Sequence, residues 1–510
     1  MMFLFSGSHS GKEKDKERGV MEFETLLKKA EKGLVVRTDS RKVQDGECFV
    51  AMPGTDVRGI DYIPNALDNG ARYIVAPENA RDLVAPVVEE KAVAVYVENP
   101  AIALGELARA HFHLMDRDVK LVGITGTNGK TTTSYIIEHL LASAGLKVGV
   151  LGTVNYRWPG FEIEASLTTP DCWMIHELIF NMKKADVDVV LMEVSSHALE
   201  QYRVAGLDFN AGVFTNLTQD HLDYHGDMET YFRAKAKLFK DYPTETKANI
   251  SNYNDPYGRI LLSECPDSIG YGIGDISTVR QEVGDREMVQ GRIVSMDGQG
   301  IELETTYKGK TWTVHSPLIG AFNAMNLMAA QAVGLQLGLS CKDMRSLKDF
   351  PGVPGRLERV MNDHGLDVFV DFAHTPDALE NVQHTLKSLN FKRLITLFGC
   401  GGDRDRTKRP IMGQAVARYA DVAVLTSDNP RSEDPMLVMD DIRPGLAGTP
   451  KVIEHPDRRT AIAMALEEME QGDVLLIAGR GHEPNQKIKD KIIPFLDTKV
   501  TAELLEEMYS

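Results

Sequence analysis

The stretch Gly126-Thr-Asn-Gly-Lys-Thr-Thr132 decides the fold of this chain. It follows the apolar burst Leu121–Ile124 and opens a predicted helix, whose apolar residues recur at helical spacing: Tyr135, Ile136, Leu140, Leu141 and Ala144. A glycine-rich turn between a buried strand and a helix presents backbone N–H groups and the positive end of the helix to phosphates. We therefore predict a phosphate-binding loop, in which Lys130 reaches the outer phosphates and the Thr131 hydroxyl binds magnesium.

The loop departs from the strict phosphate-loop pattern, which has glycine five positions before Gly129. This chain has Ile124 there, and Gly123 stands one place earlier. A chance glycine turn is the alternative interpretation, but the strand before the loop and the helix after it favour phosphate binding. The residues that we expect to contact the nucleotide phosphates are Gly126, Thr127, Asn128, Gly129, Lys130, Thr131 and Thr132.

Two further apolar bursts, Val187–Met192 and Ala211–Phe214, stop abruptly at polar residues, which is typical of buried parallel strands. Glu193 ends the first of them and His221 follows the second, so both should lie at the loop edge beside Lys130. A carboxylate and an imidazole near a triphosphate indicate magnesium ligation. A local ion pair for Glu193 and a helix cap for His221 are the alternatives.

The pattern restarts in the C-terminal third, where four predicted strands each run into a polar cluster. The strands are Val368–Val370, Leu394–Phe398, Val422–Leu425 and Val474–Ile477. The clusters are Asp371–His374, Gly399–Arg404, Asp428–Arg431 and Gly479–Glu483. Ligands of open α/β sheets bind outside the carboxyl ends of the strands, so we expect one cleft. Its arginines could clasp carboxylates and Glu483 an ammonium group, although surface turns and ion pairs would explain each cluster singly.

The bulk composition indicates an ordinary globular protein. At 510 residues the chain exceeds the usual size of one core, and three domains are the natural expectation. A formal net charge of -17 argues against nucleic acid or an acidic membrane as partner. The five scattered cysteines favour reduced thiols and a cytoplasmic location. Residues 1–20 are expected to be a solvated leader, and no stretch reaches membrane-spanning length without charge.

Together these motifs resemble the Mur ligase family over nearly the whole chain, from Thr38 to Glu483. The loop at residues 126–132 marks the family, and Asp428-Asn-Pro-Arg431 favours the member that adds meso-diaminopimelate to UDP-N-acetylmuramoyl-L-alanyl-D-glutamate in peptidoglycan precursor synthesis. The resemblance implies an α/β fold with three domains. They are a small N-terminal α/β domain for the uridine nucleotide (21–118), a central P-loop ATPase-like parallel-sheet domain (119–350) and a C-terminal Rossmann-like domain for the amino acid (351–510).

The resemblance also implies binding roles for residues outside the loop. Those expected to contact the uridine nucleotide and its sugar-peptide are Ser40, Thr168, Thr169, Ser195, Gln201 and Arg203. Further contacts to ATP are expected from Asn323, Arg356 and Asp371. Those expected to bind diaminopimelate are Arg404, Asp428, Asn429, Pro430, Arg431, Gly479 and Glu483.

Lys235 has a role that only the resemblance implies. Its position alone predicts an exposed helical lysine, whereas the family carries here an N6-carboxylysine, a carbamate that can ligate magnesium. Lys237 is the neighbouring alternative, and the family spacing favours Lys235. The implied catalytic residues are Lys130, Glu193, His221 and Lys235. The implied metal ligands are Thr131, Glu193, His221 and Lys235 as its carbamate.

The reaction implied is ATP-dependent amide-bond formation through an acyl phosphate, with Mg²⁺ as cofactor and ATP as co-substrate. The distal carboxylate of diaminopimelate, which lysine lacks, would pair with Arg431. We expect a cytoplasmic monomer that binds only small molecules. The alternatives are a lysine-adding member of the family, a folylpolyglutamate synthetase, a P-loop phosphotransferase and a nucleotide-gated binding protein without chemistry.

Overall fold

The computed structural model describes residues 20–54, 58–114, 119–242 and 248–509 of the chain. The predicted leader at residues 1–20 lies outside these ranges, apart from Val20. The chain divides into two compact units. The first comprises the described residues of Met1–Lys130, Gly145–Ser251 and Asp255–Ser268, and the second those of Thr131–Ala144, Asn252–Asn254 and Ile269–Ser510. Of the helices in the described ranges, none is both long and apolar enough to cross a membrane.

The N-terminal part of the first unit contains a four-stranded parallel sheet in the order β1-β2-β3-β4. The strands are β1 (Val36–Arg37), β2 (Cys48–Val50), β3 (Tyr73–Pro77) and β4 (Val93–Val97). The helices are α1 (Phe23–Ala30), α2 (Ile63–Asp68), α3 (Arg81–Val88) and α4 (Pro100–His111). Apolar clusters that draw on alternate residues of the same strands cover both faces, so the sheet is the buried layer of this part.

The rest of the first unit is built on seven strands in the order β11-β10-β5-β9-β6-β7-β8. All pairs from β11 to β6 are parallel, and β7 and β8 add antiparallel strands at the end. The strands are β5 (Lys120–Thr125), β6 (Val148–Leu151), β7 (Asn155–Trp158), β8 (Phe161–Glu164), β9 (Val189–Glu193), β10 (Ala211–Phe214) and β11 (Ala248–Asn252). Parallel pairing brings the carboxyl ends of β5, β9 and β10 to one edge.

Six helices accompany these strands along the chain. They are α5 (Lys130–Ser143), α6 (Cys172–Lys184), α7 (Ser196–Glu200), α8 (Leu222–His225), α9 (Met228–Lys240) and α10 (Pro256–Glu264). After Lys130, α5 belongs to the second unit. Asp227 begins α9, because its side chain accepts a hydrogen bond from the backbone N–H of Thr230 at 2.7 Å. The inner face of α9 then packs into the same apolar cluster as strands β9 and β10.

The second unit begins with strands in the order β12-β13-β14-β15, of which β12 and β13 are parallel and the others antiparallel. The strands are β12 (Ser268–Ile273), β13 (Glu287–Asp297), β14 (Gly300–Tyr307) and β15 (Lys310–Ser316). The helices are α11 (Ser277–Val283) and α12 (Ala321–Gln336). Most of α12 is buried, as expected of a helix that is apolar on nearly all sides.

The C-terminal part of the second unit contains a six-stranded sheet in the order β16-β17-β21-β18-β19-β20, parallel except for β16. Its strands are β16 (Glu358–Arg359), β17 (Asp367–Asp371), β18 (Leu394–Phe398), β19 (Val422–Leu425), β20 (Lys451–Glu454) and β21 (Val474–Ala478). A hairpin follows with β22 (Asn485–Ile488) and β23 (Lys491–Pro494). The helices are α13 (Pro376–Lys387), α14 (Lys408–Ala417), α15 (Pro435–Ile442), α16 (Arg458–Glu468) and α17 (Asp497–Tyr509).

The predicted apolar bursts are strands in the structure, and the α/β fold class is confirmed. The bursts at residues 211–214, 394–398 and 422–425 have the predicted bounds. The strand predicted at 187–192 begins two residues later and includes Glu193. Ala144, predicted in the apolar face of the first helix, lies one residue beyond its end and is exposed. Long apolar bursts therefore predict the sheets, whereas element ends shift by a residue or two.

A fully buried ion pair fixes two strand ends of the C-terminal sheet. Arg458 donates to both carboxylate oxygens of Asp497, at 2.8 and 2.7 Å. It also donates to the carbonyls of Ser427, at 3.3 Å, and Ala478, at 3.1 Å. These carbonyls immediately precede the third and fourth polar clusters of the sequence, so Arg458 fixes the positions of the two clusters relative to each other.

We predict that Asp497→Ala destabilises the C-terminal part strongly, because it leaves a buried guanidinium without its counter-charge. The expected loss is about 3–5 kcal/mol of unfolding free energy, measured by urea unfolding with far-UV circular dichroism. Glu503→Ala, on the same helix, is the control, since its ion pair with Arg459 is largely exposed. Equal losses for the two variants would contradict the prediction.

Candidate active site

The predicted phosphate loop lies in the first unit, between the end of β5 and the start of α5. Its two glycines have positive φ angles, 147° at Gly126 and 85° at Gly129. A Cβ atom at Gly126 would lie 1.9 Å from the hydroxyl oxygen of Thr215, so only glycine fits there. The sequence therefore places its glycines where the backbone turns sharply, next to the first residue after β10.

Two residues that the sequence analysis did not select hold this loop in place. The Thr215 hydroxyl donates to the Asn128 carbonyl at 2.6 Å. The carbonyl of Asn216 accepts from the Thr127 N–H at 2.8 Å, and its side-chain oxygen accepts from the Asn128 N–H at 3.0 Å. Their position in the sequence could have identified them, because both residues directly follow a predicted strand that ends at the same edge of the sheet as the loop.

Lys130 and Lys235 converge on one backbone oxygen of the loop. The Lys130 ammonium donates to the carbonyls of Gly126, at 3.0 Å, and Thr127, at 2.9 Å. Lys235 donates to the same Gly126 carbonyl at 2.8 Å. The expectation from position alone, an exposed helical lysine, is wrong: Lys235 is 2% exposed, because its face of α9 packs against β5 and the loop. Burial and the Lys130 charge lower the pKa of Lys235 well below its usual value.

The competing Lys237 points elsewhere on α9. Its ammonium pairs with the carboxylate of Glu200 at 2.7 Å and lies over the ring of Tyr202. The hydroxyl of Tyr231, on the Lys235 side of the helix, lies 3.2 Å from the Thr127 hydroxyl. The structure therefore brings Lys235, and not Lys237, to the phosphate loop.

Glu193 is buried at the end of β9 and is held by Thr153. The Thr153 hydroxyl and backbone N–H donate to its two carboxylate oxygens, at 2.8 and 3.1 Å. A Cβ at Gly152 would lie 2.4 Å from Glu193 Oε1, so the backbone approaches this carboxylate closely. No sequence motif identifies Thr153, because it lies 40 residues before Glu193 in the chain.

His221 lies after β10, next to other imidazole and phenol rings. It has a φ angle of 53° and directly precedes α8 without capping it through its side chain. Its ring centroid is 4.8 Å from that of His197 and 6.1 Å from that of Tyr231. Since Tyr231 contacts the loop through Thr127, His221 is near the phosphate loop, as predicted.

The residues predicted to bind the sugar-peptide form one hydrogen-bonded group beside Glu193. The Thr169 hydroxyl donates to the Glu193 carbonyl at 2.8 Å and accepts from the Ser195 N–H at 3.0 Å. Arg203 donates to the Thr169 carbonyl at 3.0 Å and to the Gln201 side chain at 2.7 Å. The Thr168 and Thr153 hydroxyls are 3.2 Å apart. Ser40 lies apart from this group, buried after β1, where its carbonyl accepts from Asn69.

In the second unit, the residues predicted to make further ATP contacts occupy two places. Asn323 lies on α12, and its side-chain oxygen accepts from Asn326, which accepts in turn from the Thr133 hydroxyl on α5. Asp371 ends β17, where its carboxylate accepts from the N–H groups of Leu357, at 2.7 Å, and Ala373, at 2.8 Å.

Arg356 adds a cation near the Asp371 carboxylate, and its guanidinium lies over the Phe372 ring. Burial raises the pKa of Asp371, and Arg356 opposes that rise. Thr131 and Thr132 are buried in the first turn of α5. Asn323, Arg356 and Asp371 all belong to the second unit.

Of the four predicted polar clusters, those after β18, β19 and β21 meet at the carboxyl edge of the C-terminal sheet, and the cluster after β17 contacts the last of them through the rings of Phe372 and His482. The Asn429 amide donates to Glu483 at 2.7 Å, which joins the third and fourth clusters. Asp428 is buried, and a Cβ at Gly479 would lie 2.6 Å from its carboxylate. Burial raises the pKa of Asp428, while Arg458 and Arg480 act in the opposite direction.

The two predicted carboxylate-binding arginines lie on neighbouring loops at this edge. Arg431 has a φ angle of 51°, and its guanidinium donates to the Gly402 carbonyl at 2.5 Å. Arg404, on the same loop as Gly402, is exposed. Pro430 lies between Asn429 and Arg431, and its carbonyl approaches Gly402 closely. The edge therefore includes the Glu483 carboxylate and the guanidinium groups of Arg404 and Arg431, a combination that can bind an amino acid with a second carboxylate.

Comparison with known proteins gives three family matches along the chain. Three family models match successive segments: the Mur ligase family catalytic domain at residues 35–112, the Mur ligase middle domain at 124–334, and the Mur ligase glutamate ligase domain at 355–481.

Two relatives and one solved structure that match most of the chain bear the same name. The UDP-N-acetylmuramoyl-L-alanyl-D-glutamate–2,6-diaminopimelate ligase of Lawsonia intracellularis is 47% identical over 474 residues, 93% of this chain and 96% of that protein. The ligase of the same name from Synechococcus elongatus is 41% identical, over 93% of this chain and 94% of that protein. A solved structure of a ligase of this name is 31% identical, covers 93% of this chain and 95% of that chain, and has a TM-score of 0.67. The chain belongs to the Mur ligase family of ATP-dependent amide ligases.

Proposed function

We propose that the chain joins meso-diaminopimelate to UDP-N-acetylmuramoyl-L-alanyl-D-glutamate, with ATP as the second substrate, during peptidoglycan precursor synthesis. The observation that carries this proposal is the edge of the C-terminal sheet, where Glu483 is fixed by Asn429 and Arg431 lies on the adjoining loop. An ammonium group and a distal carboxylate on one amino acid match these charges. The relatives of 47% and 41% identity bear the name of this activity.

The proposed reaction has two steps. A carboxylate oxygen of the substrate's glutamyl residue attacks the γ-phosphorus of ATP, so that the bond to ADP breaks and an acyl phosphate forms. The amine of diaminopimelate then attacks the acyl carbon, the amide bond forms, and phosphate leaves as the amine loses a proton. The protein contributes mainly by positioning the reactants and neutralising charge.

We propose that the loop at residues 126–132 holds the phosphates, with Lys130 on the outer ones. The structure shows Lys130 donating to loop carbonyls, which are exchangeable partners for a phosphate oxygen. Asn323, Arg356 and Asp371 are proposed as the further ATP contacts. Ser40 is proposed for the uridine nucleotide. The proposed contacts to the sugar-peptide are Thr168, Thr169, Ser195, Gln201 and Arg203.

The cofactor is proposed to be Mg²⁺. Within the described ranges, no three His, Cys, Asp or Glu side chains form a ready metal site. Magnesium sites in nucleotide enzymes commonly combine one or two protein carboxylates with substrate phosphates, so the buried Glu193 carboxylate fits. The Thr131 hydroxyl, the His221 imidazole and a carbamate on Lys235 are the other proposed ligands. The ion would neutralise phosphate charge when bound.

The surroundings of Lys235 support the proposed N6-carboxylysine. A carbamate forms on the neutral amine, and burial beside Lys130 favours the neutral form. Once formed, the carbamate is an anion near the Lys130 ammonium, so like-charge repulsion becomes attraction. The exposed lysines in the described part of the chain lack this burial, which is what favours the neutral amine at Lys235.

Further properties are proposed on the same basis. We propose domain boundaries at 118/119 and 350/351, since each of these positions falls in a gap between two matched family segments. A cytoplasmic monomer is proposed, with small-molecule partners and neither nucleic acid nor membrane. The five cysteines, all within the described ranges, form no disulfide, which fits a reducing compartment.

The direct test is an assay of the purified chain with ATP, the muramoyl dipeptide nucleotide, and either diaminopimelate or lysine. We expect phosphate release that requires both the nucleotide dipeptide and diaminopimelate, with the tripeptide product identified by mass spectrometry. Preference for lysine would assign the lysine-adding activity instead. Phosphate release without any amine would indicate a phosphotransferase or an ATPase.

We predict that Lys235, and not the neighbouring Lys237, carries a carbamate. After equilibration with ¹³C-bicarbonate, the unaltered chain should show one protected carbamate signal by ¹³C NMR. Lys235→Ala should remove the signal and the ligase activity. Lys237→Ala, the matched control on the same helix, should retain both, and loss of the signal in that variant alone would contradict the prediction.

We predict that Arg431→Ala selectively impairs the use of diaminopimelate. Loss of the guanidinium that pairs with the distal carboxylate should lower kcat/KM for diaminopimelate by about 100-fold, with the KM for ATP changed by less than about twofold. Steady-state kinetics with each substrate varied in turn measures both. Arg418→Ala, which removes an exposed arginine paired with Glu380, is the control. An unchanged kcat/KM for diaminopimelate would overturn the assigned role.

A further inference from the structure

Two loops at the edge of the C-terminal sheet are tied directly to each other. We refer to residues 401–404 and 429–433 as the acceptor loops. The Gly402 N–H donates to the Asn429 carbonyl at 2.9 Å, and the Gly402 carbonyl accepts from Arg431 at 2.5 Å. A Cβ on Gly402 would lie 2.0 Å from the Pro430 carbonyl, so the loops are in backbone contact. The position of Arg431 therefore depends on the position of Gly402.

A second set of bonds joins the same loops through Asp403. This residue has a φ angle of 54°, which is unfavourable for a side chain larger than glycine's and needs support from its surroundings. Its carboxylate accepts from the hydroxyl of Ser432 at 2.5 Å and from the Ser432 N–H at 3.2 Å. Its own N–H donates to the Glu433 carboxylate at 2.6 Å. Asp403 is thus bonded on both sides by the second acceptor loop.

A buried arginine below the loops anchors this arrangement. Arg409, in the first turn of α14, is 1% exposed and donates to both carboxylate oxygens of Glu433, at 3.0 and 2.6 Å. The same guanidinium donates to Asp441 on α15 at 2.9 Å. Arg409 and the Asp403 N–H hold the pKa of Glu433 down, to about 2. Glu433 therefore links the protein core to both loops at once.

We propose that Arg409 and Glu433 are positioning residues that determine which amino acid the enzyme accepts. Arg409 fixes Glu433, Glu433 fixes the backbone at Asp403, and the paired loops then fix the guanidinium group of Arg431. This inference rests on the proposed function, in which Arg431 binds the distal carboxylate. It adds that the selectivity is set by an ion pair that does not touch the substrate.

The physical reason is the geometry that paired charges require. An arginine binds a carboxylate through directed hydrogen bonds, and a displacement of about 1 Å can cost about 100-fold in rate. Lysine has no distal carboxylate, so its use does not depend on where Arg431 lies. Loosening the acceptor loops should therefore harm diaminopimelate and leave lysine nearly unaffected.

The test is Glu433→Gln, which keeps the size of the side chain and removes its charge. We expect the ratio of kcat/KM for diaminopimelate to kcat/KM for lysine to fall about tenfold or more. The KM values for ATP and for the muramoyl dipeptide nucleotide should stay within about twofold of those of the unaltered chain. If lysine turnover is below detection, the KM for diaminopimelate must rise about tenfold under the same conditions.

Asp441→Asn is the matched control. It removes the other carboxylate partner of Arg409 together with the exposed contact to Arg406, but makes no bond to the acceptor loops. Its ratio should stay within about twofold of the unaltered value. A parallel loss of activity toward both amino acids in Glu433→Gln, or an equal change of ratio in Asp441→Asn, would overturn the proposal.

Two further measurements distinguish a change of selectivity from a failure of the variant to fold. Calorimetry of each variant establishes that it folds, and Ser432→Ala, which removes the exposed hydroxyl bond to Asp403, tests the same ratio if Glu433→Gln does not fold. If the unaltered chain does not use diaminopimelate, the proposed function itself fails. If the unaltered chain is selective and the ratio is unmoved in both loop variants, only the role of Arg409 and Glu433 fails.

Discussion

The site in the first unit depends on the absence of a side chain at Gly126. Because a Cβ atom there would lie 1.9 Å from Thr215, the end of β5 can approach the end of β10 only with glycine. This approach lets Asn216 fix the N–H groups of the loop. It also leaves the Gly126 carbonyl open to Lys130 and Lys235. The conformation of one glycine thus determines where the two lysines meet.

Buried charges have a similar role in the C-terminal sheet. Arg458 ties the ends of β19 and β21 through two carbonyls and Asp497, while Arg409 ties the loops after β18 and β19 through Glu433. Buried ion pairs contribute little net stability, since desolvation offsets their attraction. Their directed hydrogen bonds do fix the geometry of the groups that they join. The sheet supplies the edge, and these arginines set the positions of the groups along it.

The sheets and the loop could be predicted from the sequence because their signals are local. Apolar bursts mark buried strands, and the glycines and Lys130 follow one of them directly. The side chains that hold the site could not be predicted in this way. Thr153 lies 40 residues from Glu193, and Arg409 lies 24 from Glu433. Only the fold brings such pairs together, so no spacing in the sequence identifies them.

Lys235 is a residue for which the local sequence pattern predicts the wrong environment. A lysine in a helix is ordinarily solvated, and its pattern predicts exposure. In this chain the inner face of α9 packs on the apolar cluster of the sheet, so the position of Lys235 in the helix turns its long side chain toward the loop. A buried ammonium beside Lys130 is unfavourable, because the two charges repel and water is excluded. Loss of the proton relieves both costs, because a neutral amine neither repels the Lys130 ammonium nor leaves a buried charge without water.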